Sequence, residues 1–147
     1  MRKAIRTTDA PRPLGVYSQA IVGGGFVFVA GQGPINPATG QMELGDIREQ
    51  TRRTLQNIRA ALEAAGSSLR DAVRMGVFLA DLDDFKAMNE VFKEFFPEDP
   101  PARTTVGGRL PAGMRVEIDC IAQVRKLPTR LGVQRRDVAL GSRRLVV

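Results

Sequence analysis

The sequence predicts a single α+β domain in which a mixed β-sheet carries two helices on one face. Two observations point there. Alternating or continuous apolar stretches and stretches of helical apolar spacing follow one another in the order β-β-β-α-β-α-β-β. Each helical stretch has one apolar face, and two such helices cover only one side of a sheet. With 147 residues, 43% of them hydrophobic, the chain is long enough to bury one core and short for two.

Taken in order, Arg2 to Arg6 is a short strand, and Pro11 and Pro13 then forbid a place in a sheet interior. Tyr17 to Val22 and Phe26 to Ala30 read as two strands joined by Gly23-Gly24-Gly25, the second apolar on both faces. Gly31 to Gly45 is a loop by its Gly, Pro and Asn content. Asp46 is a good N-cap for a helix with Ile47, Leu55, Ile58, Leu62 and Ala65 inward, ended by Gly66. Ser68 and Asp71 cap a single turn before a strand in which Val73, Met75, Val77 and Leu79 alternate inward. Asp83 or Asp84 then caps a second helix, with Phe85, Met88, Phe92, Phe95 and Phe96 as a core stripe and Pro97 as its stop. Because two strands are apolar on both faces and no element remains to cover the second face, a homo-oligomer that buries sheet against sheet is expected.

The last two strands lie in the stretch PPARTTVGGRLPAGMRVEIDC, from Pro100 to Cys120. Arg103 follows a rigid Pro-Pro-Ala lead, and its forked donors suit a planar carboxylate. Val116, Ile118, Cys120, Ala122 and Val124 alternate with Glu117, Asp119, Ile121 and Gln123, which sends the two carboxylates to the face away from the helices. A cation for an anion and an acid for water make a small-molecule site; by themselves the two residues also fit surface charges on adjacent strands. Cys120 falls on the apolar side, as a buried packing residue.

Composition removes several chemistries. There is no histidine, which excludes a Ser-His-Asp triad, a His-ligated metal and imidazole catalysis of RNA cleavage, and one cysteine excludes an internal disulfide. The net charge of +6 resides in the end of the chain: residues 1–124 hold 15 basic and 15 acidic residues, and the remainder holds 7 basic and 1 acidic. That remainder has no aromatic residue to stack on bases, so nucleic acid is not the expected partner. No apolar run is long enough for a membrane span and the N-terminal stretch lacks an apolar signal segment, so a cytoplasmic protein is expected. The expected organisation is a domain over 1–126 and a basic C-terminal extension over 127–147.

Read together, the segments APRPLGVYSQAI, FVFVAGQGPINPATG, GDIREQTRRTLQNIRAALEAAGSSLRDAV, VFLADLDDFKAMNEVFKEFF and PPARTTVGGRLPAGMRVEIDCIA resemble the RidA or YjgF-like reactive-intermediate deaminases, over roughly residues 3–126. The resemblance implies a chorismate-mutase-like fold, a homotrimer with sites between subunits, and cofactor-free and metal-free hydrolysis of 2-imino or enamine acids to 2-oxo acids and ammonia. It also implies roles: Arg103 holds the substrate carboxylate, Glu117 positions the water, and Tyr17, Gly31, Asn89 and Thr105 line or contact the substrate. Two positions depart from the family pattern. Ala30 stands where a serine is usual, and Thr105 where many members carry cysteine, which leaves the exact substrate open. Non-catalytic ligand-binding or chaperone-like members and ribonuclease-like members are the alternatives within the same family.

Overall fold

The computed structural model describes residues 1–111 and 113–125; the basic extension over 127–147 lies outside them. Its elements are β1 (Lys3–Ile5), β2 (Ala20–Gly23), β3 (Phe26–Gln32), α1 (Ile47–Ala64), β4 (Ala72–Leu79), α2 (Phe85–Phe95), β5 (Ala102–Gly107) and β6 (Val116–Gln123). The six strands form one sheet in the order β1-β2-β3-β6-β4-β5. All neighbours are antiparallel except β4 and β5, which the crossover through α2 makes parallel.

The helices lie on one face. Val27 and Val29, Met75, Val77 and Leu79, and Val116, Ile118, Cys120 and Ala122 are buried beneath Leu55, Ile58 and Leu62 of α1 and Met88 and Phe92 of α2. Each fully buried aliphatic side chain contributes about 1.5–3 kcal/mol. Asp46 closes a capping box with Glu49 at the start of α1, and Gly66, at φ 76°, turns the chain out of its C-terminus. The opposite face has no covering element among the described residues and exposes Phe28 and Val106 beside half-buried Phe78 and Ile121.

Several sequence expectations need correction. β2 begins at Ala20 rather than Tyr17, because the side chain of Gln19 is spent on the loop before it: its Oε1 accepts from the Thr7 N–H, and its Nε2 donates to Ala10 and Pro11 carbonyls. Val73 is exposed rather than inward: Ala72 pairs with Ala122 and Arg74 with Ile121, so Val73 is the extra residue of a bulge. Ser68 donates to the Asp71 carboxylate and caps no backbone N–H. Neither Asp83 nor Asp84 caps α2 by its side chain; Asp81 accepts from the Asp83 N–H of the preceding turn. The carboxylate of Asp84 instead takes the fork of Arg115, at 3.0 and 2.7 Å, which ties the start of β6 to the start of α2. Phe85 is exposed and Phe95 half-buried, so the α2 stripe is core only at Met88, Phe92 and Phe96.

Candidate functional site

Arg103 sits on β5, an edge strand, opposite Met75 of β4. Met75 is buried under the helices, so the Arg103 side chain is on the helix side of the sheet. There its guanidinium lies over the rings of Phe85 and Phe92, 5.6 and 4.7 Å from their centroids. Its Nη2 donates to Asn89 Oδ1 at 2.6 Å. One face of the cation is thus packed on aromatic rings and one donor is fixed by a neutral amide. Among the described residues no carboxylate pairs with it. Burial lowers its pKa from the usual arginine value, which begins far enough above neutrality that the charge is kept. The result is an oriented, uncompensated cation beside a cavity of about 380 Å³ that Asn89, Phe92, Lys93 and Pro101 also line.

Thr105 shares that face, opposite Val77. The Gly108 N–H donates to the Leu79 carbonyl at 2.9 Å, so by alternation the backbone groups of residues 104 and 106 turn toward β4. Those of Arg103 and Thr105 turn out from the sheet edge.

Glu117 is elsewhere. It lies on β6 opposite Phe78, on the uncovered face, half-buried. Between β3 and β6 the register runs from Val29 opposite Cys120 to Gln32 opposite Ile118, so Ala30 and Gly31 bulge. The bulge brings Gly31 against Glu117: a Cβ at Gly31 would stand 3.0 Å from the Glu117 carboxyl carbon. Glycine here leaves room for the acid. Burial first, and then the negative charge of Asp119, raise the Glu117 pKa above the ordinary glutamate value. Asp119 accepts from the Gly76 N–H at 2.9 Å. The same causes push the buried Cys120 thiol up to about 12, which makes it an inert packing residue.

Tyr17 lies in the loop before β2, with its hydroxyl accepting from the Leu14 N–H at 3.0 Å. Two residues on, the Gln19 carbonyl accepts from the Ala30 N–H at 3.0 Å, which seats this loop against the bulge that carries Gly31.

The six expected residues therefore form two groups within one chain. Arg103, Asn89 and Thr105 belong to the helix side of the β5 edge; Glu117 lies on the other side, on central β6, against Gly31 of β3, to which the Tyr17 loop is tied through the Gln19–Ala30 bond. Arg103 and Glu117 are not on adjacent strands, since β4 lies between β5 and β6. Two strand spacings, roughly 10 Å, and the thickness of the sheet separate them. The rings of Phe85 and Phe92 under Arg103, the bulge at Gly31 and the charge of Asp119 beside Glu117 were not assigned to the site from the sequence. Only Asp119 left a signal there, in its alternation with Glu117.

A family model described as Endoribonuclease L-PSP matches residues 7–124. The chain belongs to that family, which is the RidA/YjgF family the sequence resembles. A RutC family protein of Pyrococcus horikoshii is 52% identical over 123 residues, covering 83% of this chain and 98% of the relative. A protein of Dermatophagoides farinae named 2-iminobutanoate/2-iminopropanoate deaminase is 40% identical, covering 84% and 97%. Among solved structures, Escherichia coli TdcF with bound serine superposes with a TM-score of 0.78 at 41% identity, covering 84% of this chain and 99% of TdcF. The α+β fold, with its mixed sheet and two helices, is thus that of the RidA/YjgF structures. No helix among the described residues is long and apolar enough to cross a membrane.

Proposed function

We propose that this RidA family member hydrolyses 2-imino acids such as 2-iminopropanoate and 2-iminobutanoate to 2-oxo acids and ammonia, at sites completed between copies of the chain in a homotrimer. The observation that carries the reading is the uncompensated guanidinium of Arg103, oriented by Asn89 and packed on Phe85 and Phe92 at an open sheet edge. A fixed fork of that kind suits a planar carboxylate. Catalysis also needs a group to handle water, and Glu117 has the raised pKa of a proton acceptor that works nearer neutrality. Since the two lie on opposite faces of one sheet, one copy supplies Arg103, Asn89 and Thr105, and a neighbour supplies Glu117, Gly31 and Tyr17. The exposed apolar face with Phe28 and Val106 provides surface for that association.

In this reading Arg103 holds the substrate carboxylate and fixes the imine carbon roughly 3 Å from a water. The water oxygen adds to C2 of the protonated imine while its proton passes to Glu117. Glu117 returns that proton to the carbinolamine nitrogen, the C2–N bond breaks as the hydroxyl oxygen forms the C=O bond, and the hydroxyl proton passes by way of Glu117 to the released ammonia, so that the 2-oxo acid and ammonium leave.

Mixing two impaired variants tests both the chemistry and the assembly. Arg103→Ala and Glu117→Gln are each expected to keep no more than about 3% of parental activity, and subunits of the two, unfolded and refolded together, to regain activity at about one quarter of the sites, as random pairing across an interface predicts. Ammonia release from freshly generated 2-iminopropanoate reads the result. If the mixture stays as impaired as its parents while re-forming trimers, Arg103 and Glu117 do not act across an interface.

A further inference from the structure

A groove of about 620 Å³ lies between the end of β1 and the loop that leads into β2. Arg6, Arg12, Tyr17, Ser18 and Gln19 are among the residues that form its walls, and no carboxylate does. Arg6 and Arg12 make no ion pair with any described residue. Arg12 follows Pro11 and precedes Pro13, so its backbone is stiff, and Gln19 pins the same loop by bonds to the Thr7, Ala10 and Pro11 carbonyls. Two arginines and four hydroxyl-bearing residues, Thr7, Thr8, Tyr17 and Ser18, thus line one concave space with no acidic residue among them. The groove adjoins the bulge at Gly31, because Gln19 in its wall accepts from the Ala30 N–H, and its wall includes Tyr17, which the proposed function places at the substrate.

We infer that this groove is a second anion subsite, so that the enzyme favours 2-imino acids whose side chain ends in a carboxylate over those with a short aliphatic side chain. The inference rests on the function proposed above and names the substrate class of that same site. Arg103 takes the carboxylate next to the imine carbon, and Arg6 and Arg12 take the distal one. The positive potential of two cations in a concave wall adds to direct contact by drawing the dianion in.

The stable 2-oxo acids, which are the reaction products, serve as probes on the whole chain. Titration calorimetry should show 2-oxoglutarate binding about tenfold more tightly than 2-oxobutanoate at low ionic strength, with the preference shrinking as salt is added. In the Arg6→Ala/Arg12→Ala variant the two acids should bind within about twofold of each other. Both replaced residues are exposed, so the variant should melt as the parent does. Equal affinities in the parent, or a preference that survives in the variant, would overturn the subsite and leave the imine-hydrolysis reading standing. If neither acid binds the parent, both readings fall.

Discussion

The two faces of the sheet are built from the same strands and obey different rules. On the helix face, Val27, Met75, Val77, Leu79, Val116 and Ile118 are almost completely buried, and the charged Arg103 is at the edge. On the other face, Phe28 and Val106 are exposed while Glu117 and Asp119 are half-buried next to one another. Among the described residues the helix face is covered and the other is not. A carboxylate with a raised pKa on an apolar, uncovered face is a costly arrangement for a monomer. In the proposed trimer a second copy would close over it.

The largest expected effect comes from Arg103, on the helix face. Arg103→Ala removes a charge-assisted contact, about 2–4 kcal/mol, or roughly 30- to 1,000-fold in kcat/KM. Arg103→Lys should keep most of that loss, because a point donor neither reproduces the fork nor stacks on Phe85 and Phe92. As Arg103 has no acid partner among the described residues, calorimetric melting should change little in either variant. A variant with parental kinetics and a lowered Tm would make Arg103 a structural residue.

On the uncovered face, Glu117→Gln should lower kcat by about 10²-fold while binding of a 2-oxo acid is retained. Its pH dependence has a defined sign. Burial raises the Glu117 pKa, so the fold favours the protonated form, and the stability linked to it is lost as pH rises through the raised folded value. The Tm difference between Glu117→Gln and the parent should therefore grow with pH through that range. In the parent, the acid limb of kcat/KM should lie above the ordinary glutamate pKa, and in the variant it should vanish.

Between these two residues the chain displays how much a sequence can reveal. The helix face was legible because burial writes a periodic signal: Leu55, Ile58 and Leu62 on α1 and the Met75–Val77–Leu79 alternation follow from spacing alone. The bulges were not legible. Val73 kept the apolar alternation of its strand, yet it is an extra residue opposite β6, which only pairing with a distant strand decides. The bulge at Ala30 and Gly31 depends in the same way on β6, more than 80 residues later. The site residues were named from the pattern of the whole chain, but neither motif nor spacing revealed that Arg103 and Glu117 lie on opposite faces. That follows from the register on β4, which sets Arg103 opposite Met75 on the helix side and Glu117 opposite Phe78 on the other.

A smaller effect tests the bulge. In Gly31→Ala the new methyl group would meet the Glu117 carboxyl at about 3.0 Å, tighter than a relaxed contact. The carboxylate must give by a few tenths of an ångström. Activity should fall about tenfold, as a slightly misplaced base would cause, with the trimer and its Tm retained. Turnover at the parental level would mean that Glu117 has slack and does not need its present position.

The smallest expected effect, and the most selective, belongs to Asp119. Its charge is the second cause of the raised Glu117 pKa, after burial, and it sits on the same strand two residues away. Asp119→Asn removes that charge and keeps an oxygen able to accept from the Gly76 N–H. With the repulsion gone, the carboxylate form of Glu117 is less disfavoured, so its pKa falls toward the ordinary value without reaching it, because burial remains. The acid limb of kcat/KM should move to lower pH, and the plateau above it should stay within a few-fold of the parent. Asp119→Ala is the control for structure: it loses the Gly76 bond as well, so it should show the same displacement of the limb together with a lower Tm. A limb that stays in place in Asp119→Asn would mean that the group titrating in kcat/KM is not Glu117, and would shift the proton-accepting role to a group outside the uncovered face.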